Sequence, residues 1–207
     1  HLFTEENKEA FYKLKNSICG GLSLVFHRYH EKNKTKIRRT IFEDDKWKIG
    51  EAGNDVKKIV GFDANALYLW CIGEEMLCGE LEYIKMDPDP AKRRFLKPDF
   101  FGFYDVDIEV PKELYNHFSE LPPIIKNSEY TEEICGDYTK NLAEHLKHKF
   151  TKSRKLVATL KGENQIIKST RLWWLVKHGC EVKKVHGVIP AKPNRCFKGF
   201  VEWVSDE

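Results

Sequence analysis

Nothing in the sequence approaches the ~20 consecutive apolar residues of a membrane-spanning helix, so no membrane partner is expected. There is no Cys-x-x-Cys pair among Cys19, Cys71, Cys78, Cys135, Cys180 and Cys196, which argues against a zinc knuckle. There is no secretory signal either. The first residues, His1-Leu2-Phe3-Thr4-Glu5-Glu6, are polar and lack an initiator Met, so the chain reads as a piece of something longer. With no export signal, the cysteines read as free thiols in a reducing, intracellular compartment whose identity the sequence leaves open.

What is present is a chain of 207 residues, 41% hydrophobic and 13% aromatic, enough for a sizeable core in one or two domains. The net charge of +3 conceals a strong asymmetry. Residues 1–60 carry 13 Lys and Arg against 9 Asp and Glu, residues 61–145 carry 8 against 18, and residues 146–207 carry 14 against 5. A basic final third beside an acidic middle points to a polyanion met by one part of the surface. Ordinary solvation of a Lys-rich surface explains the same counts.

The periodicities predict an amphipathic helix over 5–16 with Phe11 and Leu14 on its apolar face, a strand over Leu24–Tyr29 and a basic loop over 32–39. A hairpin or connector over 42–58 follows, and Leu81–Met86 reads as a strand. The alternation over Phe101–Val110 places Tyr104, Val106, Ile108 and Val110 on one strand face. Asp105, Asp107 and Glu109 fall on the other face, expected to meet solvent, although three carboxylates in a row also permit a metal-dependent nuclease. Farther on come a helix over 138–150, a β-hairpin over 155–169 with its turn at 161–164, and a helix over 171–178 capped by Thr170 and closed by Gly179. A strand over 180–189, a turn over 190–194 and a last helix over 197–204 complete the chain.

One stretch combines these signals with chemistry: Ile59-Val60-Gly61-Phe62-Asp63-Ala64-Asn65-Ala66-Leu67-Tyr68-Leu69-Trp70. An apolar strand-like run ends at Asp63, and a helix over about 66–75 follows. A carboxylate at a strand end is well placed for a metal ion, and it is equally a helix cap. Tyr68 reads on its own as a core aromatic.

Asp63, Leu67 and Tyr68 resemble motif A of family B DNA polymerases, Asp-x-x-Ser-Leu-Tyr-Pro, and most of all its protein-primed branch of viruses, linear plasmids and self-replicating transposons. The form Asp-Ala-Asn-x-Leu-Tyr, followed by Trp70 and Met76, is similar to polymerase-like proteins of animal mobile elements. Ala66 stands where the family has Ser, and Leu69 where it has Pro. The element order from Leu156 to Val204 also resembles the first terminal-protein region, the insertion that contacts primer protein and template duplex.

The resemblance implies an α+β fold with a mainly antiparallel sheet: a partial polymerase palm over 1–80, an α/β insertion subdomain over 81–190, and the start of a return toward palm and fingers over 191–207. It implies that Asp63 and the Ala64 carbonyl hold Mg²⁺, that the Ala66 and Leu67 N–H groups meet a dNTP triphosphate, and that Tyr68 lies under the sugar and rejects a 2′-hydroxyl. The partners it implies are a DNA template-primer and a terminal protein that supplies the first primer hydroxyl. Lys155, Lys161 and Arg171 are the candidate DNA contacts. Within residues 71–207 the second carboxylate motif, Asp-Thr-Asp, and the fingers motif, Lys followed by Asn-Ser-Leu-Tyr-Gly, do not occur. No nucleotidyl transfer is therefore expected of these 207 residues by themselves. A non-catalytic remnant that binds DNA or protein is the alternative.

Overall fold

The computed structural model describes residues 7–23, 29–86 and 97–206; the expected strand over Leu24–Tyr29 falls largely outside them. The first half contains α1 (Lys8–Ser17), β1 (Thr40–Glu43), β2 (Lys46–Ile49), α2 (Leu67–Gly73), β3 (Met76–Cys78), β4 (Ile84–Lys85) and β5 (Gly102–Glu109). The second contains β6 (Ile124–Tyr130), α3 (Asp137–His145), β7 (Ser153–Thr159), β8 (Lys161–Lys168), α4 (Ser169–Lys177), β9 (Glu181–Pro190), β10 (Lys192–Asn194) and α5 (Lys198–Ser205). The fold is α+β, and every strand pair is antiparallel. None of the described helices is long and apolar enough to cross a membrane.

A four-stranded sheet in the order β4-β9-β5-β8 forms the centre. The even-numbered face of β5 is the core the alternation predicts: Tyr104, Val106, Ile108 and Val110 are buried with Ile124, Ile167 and Val188, beneath Leu172 and Leu175 of α4. The opposite face receives α1. Ala10 is fully buried against Leu81 and Ile189, with Leu14 and Phe103 beside it. Phe11, expected on the apolar face, is exposed. The small Ala10 lets the helix backbone approach Ile189, and its larger neighbour is turned outward.

This docking overturns the expectation for the carboxylate face. Asp105 is only 2% exposed. The Lys13 Nζ and the Tyr83 hydroxyl both donate to Asp105 Oδ2, at 2.7 and 2.9 Å. Tyr83 lies flat over β9, where a Cβ on Gly187 would come within 2.4 Å of its ring, so only glycine admits the ring.

The hairpin expected over 155–169 does not form. β7 pairs with β6 in a separate ribbon, from Ile124 opposite Thr159 to Tyr130 opposite Ser153. β8 pairs instead with β5, and the expected turn is strand, with Gly162 opposite Ile108 and Lys161 opposite Glu109. Leu160 is the single residue between β7 of the ribbon and β8 of the sheet. Gly162 makes this possible, because a Cβ there would crowd Ile124 and Gln165. The turn signal was real but became a bulge: Asn164 is left-handed (φ 50°) and its N–H donates to Asp107 Oδ1 at 2.8 Å.

Smaller differences have local causes. α3 ends at His145 rather than near 150, where Lys147 turns left-handed (φ 51°). α4 begins at Ser169, so Thr170 lies inside the helix rather than capping it, while Gly179 (φ 90°) closes it. Of the strand expected over 81–86, only Ile84 and Lys85 pair, with Val188 and Gly187 of β9. The segment 192–194, expected as part of a turn, pairs with β3. α5 packs on α2, with Val201 against Gly73.

Candidate functional site

The run Ile59–Phe62 does not form a strand. A strand needs a neighbour for its N–H and C=O groups, and no described strand lies beside this one. Its apolar side chains are bare: Ile59 and Val60 are exposed and Phe62 is 95% exposed. Asp63 therefore follows an extended connector instead of a sheet strand. Its side chain is open to solvent and makes no hydrogen bond or ion pair among the described residues.

Ala64 is exposed beside it, and Asn65 and Ala66 form the turn into α2. Ala66 precedes the helix in a left-handed conformation (φ 51°, ψ 31°), a costly backbone state for a residue with a Cβ. Its carbonyl accepts from the Trp70 N–H at 3.0 Å, which fixes the turn. Leu67 opens α2 and is exposed, and Tyr68 is 89% exposed rather than a core aromatic. Asp63 does not cap the helix, since the cap position is Ala66 and no side chain bonds to it. The five residues assigned to metal and nucleotide thus share one exposed connector-and-turn surface. Among the described residues no group of three or more His, Cys, Asp or Glu side chains is gathered as a metal site would be.

The carboxylates of β5 do not converge. Asp105 is taken by Lys13 and Tyr83. Asp107 Oδ1 accepts from the Asn164 N–H and lies 2.8 Å from His186 Nε2. These two contacts, the backbone one foremost, hold the Asp107 carboxyl below its usual range. Glu109 pairs with Lys183 at 2.8 Å, and Glu181 shares that amine and pushes its pKa further up. Each carboxylate has a separate partner, so the three are not gathered about one point. Burial, and then the bond to Asp105, push the Tyr83 phenol well above its ordinary value.

The three candidate DNA contacts are not brought together. Lys155 lies on β7 beside the hollow against α3 that contains Leu142 and Leu146. Lys161 is paired with Glu163 at 3.3 Å. Arg171 projects from α4, donates to the Pro123 carbonyl at 2.8 Å, and lines a cleft of about 620 Å³ between α1, β6, β7 and β8. The other cations of that cleft, Lys13, Lys126, Arg154 and Lys168, come from four different elements. Sequence reasoning did not group them because the docking of α1 and the sheet switch at Leu160 bring them together. Strand alternation alone does separate Arg154 from Lys155.

No family model matches the chain, and neither a curated protein nor a solved structure matches it.

Proposed function

We propose that residues 1–207 are part of the palm and the first terminal-protein region of a protein-primed family B DNA polymerase. Its reaction is template-directed transfer of a dNTP to a 3′-hydroxyl, and first to a hydroxyl of a primer protein. The observation that carries the reading is the order Asp63-Ala64-Asn65-Ala66-Leu67-Tyr68, with every one of these side chains exposed around a left-handed Ala66. A strained backbone beside an unpartnered carboxylate is the kind of local conflict that functional sites retain.

Mg²⁺ commonly takes one or two carboxylates and leaves its other positions to water and substrate phosphates, so Asp63 with the Ala64 carbonyl suits one side of such a site. When bound, it supplies charge stabilisation for phosphoryl transfer. Ala66 and Leu67 offer main-chain N–H groups to the triphosphate, and Tyr68 offers its ring to the sugar. The bare apolar run before Asp63 suits a palm strand whose neighbours lie elsewhere in the polymerase.

The test uses the longest gene product that contains these residues. Asp63→Asn is expected to lower template-directed incorporation by more than about a hundredfold, the scale of several kcal/mol of transition-state stabilisation. Tyr68→Val is expected to raise ribonucleotide incorporation. Incorporation unaffected by Asp63→Asn refutes the assignment. One observation favours the second reading, a non-catalytic DNA- or protein-binding module: among the described residues Asp63 belongs to no group of three or more metal-ligating side chains. Mn²⁺-induced broadening of the amide signals at 63–68 separates the two, since only the metal-binding reading expects it.

A further inference from the structure

The cleft that contains Arg171 is lined by five cationic side chains and no carboxylate. Several lysines elsewhere on the surface do have acidic partners: Lys34 with Glu31, Lys48 with Glu43, Lys112 with Asp45 and Lys152 with Glu129. Among the described residues only Lys13 of the cleft has an acidic partner, the buried Asp105. Lys126 donates to the Lys161 carbonyl, Arg171 to the Pro123 carbonyl, and Lys168 lies 5.3 Å from the Phe101 ring centroid. These contacts orient the side chains without neutralising them. Arg154 stands opposite Glu129 in the ribbon, but Glu129 is held by Lys152 at 2.9 Å. Four positive charges therefore face one hollow uncompensated.

We propose that this cleft binds the phosphate backbone of a single polynucleotide strand. The phosphate chemistry stands on the cleft alone, while the choice of a polynucleotide as its source rests on the reading given above. The volume, about 620 Å³, suits a few linked phosphates and sugars of one strand and is too small for a duplex. Among the described residues no aromatic ring lines the cleft, so the proposed strand is held there by its backbone, with little sequence preference. Gly20 and Gly21 form part of the rim. A Cβ at either would meet nothing within 4 Å, so the main chain there is open to a ligand's approach. The surface is distinct from the one first expected, because Lys155 and Lys161 lie outside the cleft.

The experiment titrates labelled twelve-residue single strands of DNA and RNA, and a duplex of equal length, by fluorescence anisotropy at 50 and 200 mM salt. Lys126→Gln with Arg154→Gln removes two charges that make no buried contact, and circular dichroism verifies the fold. The double variant is expected to weaken single-strand binding at least tenfold at low salt. Its log–log salt slope is expected to be shallower by about 1.4, two phosphates at roughly 0.7 each. Lys155→Gln with Lys161→Gln is expected to change neither. Four results overturn the proposal: no binding at 50 mM salt, affinity unchanged by the cleft variant, tighter binding of duplex than of single strand, or displacement of the strand by inorganic tripolyphosphate at equal phosphate concentration. The last assigns the cleft to a small polyphosphate. None of these outcomes depends on Asp63, so this proposal and the polymerase reading fail separately.

Discussion

β5 and the stretch before Asp63 both carry apolar residues that read as strand, and they have opposite fates. Tyr104, Val106 and Ile108 are sealed between two neighbouring strands and α4, whereas Ile59, Val60 and Phe62 stand in water. β5 interleaves its apolar residues with Asp105, Asp107 and Glu109, yet the uncharged run is the exposed one, so composition alone does not set the outcome. The difference lies in partners: β5 has β8 and β9 along its whole length, and the other run has no strand beside it among the described residues. An apolar run signals a strand's capacity to be buried, and burial follows only where hydrogen-bonding neighbours exist.

The contrast is tested most severely at the buried charge of the central sheet. Lys13→Met leaves Asp105 enclosed with Tyr83 as its remaining donor, and Asp105 Oδ1 already lacks a hydrogen-bond partner. Breaking a buried pair from one side costs about 3–5 kcal/mol, and the partial exposure of Lys13 places this case near the lower end. Urea denaturation measures it. A midpoint unchanged from wild type would mean that α1 contributes nothing to holding the sheet.

A smaller effect is expected at Asp107. Its carboxyl titrates lower in the folded protein than in the unfolded chain. In acid the unfolded chain therefore binds more protons. The stabilisation from Asp107 is present above about pH 4 and lost as the pH falls through the folded value. Asp107→Asn is expected to flatten the fall of melting temperature with pH in that range, and a curve parallel to wild type would refute the assignment.

The smallest effect belongs to the exposed run. Phe62→Ser is expected to change stability by no more than about 0.5 kcal/mol, because its ring is already in water. The same substitution is expected to reduce self-association at high concentration, measured by light scattering. A loss of more than 2 kcal/mol would mean that the run is packed after all.

Much of the central sheet was legible, because a half-buried strand repeats with period two and its neighbours cannot disguise this. The even face of β5, the long β9 and the closure of α4 at Gly179 were all read from pattern. The fate of the odd face was not. Asp105 looks like a solvent-facing carboxylate until α1 lays on it Lys13, 92 residues earlier in the chain. The hairpin over 155–169 failed for a similar reason: the turn signal at Gly162–Asn164 describes a local bend, and the choice between a turn and a bulge was made by β5. At the candidate site the residue order was fully legible, but the left-handed Ala66 was not, since alanine carries no signal for that conformation. The cleft was half legible. Its excess charge was visible, and the grouping of that charge depended on a sheet switch that no local pattern encodes.

The pairing of β5 also has a consequence in time. Its two neighbours are made late, with Tyr104 opposite Ile167 on one side and Val188 on the other. At ~5–20 residues per second, a ribosome needs on the order of ten seconds to add the roughly eighty residues that separate β5 from β9. Until β8 and then β9 emerge, a strand whose even face belongs to the core has open edges. Such non-local pairing folds slowly and leaves nascent chains prone to associate with one another. Slowing translation downstream of residue 110 would lengthen the exposure of Tyr104, Val106 and Ile108 before β9 arrives.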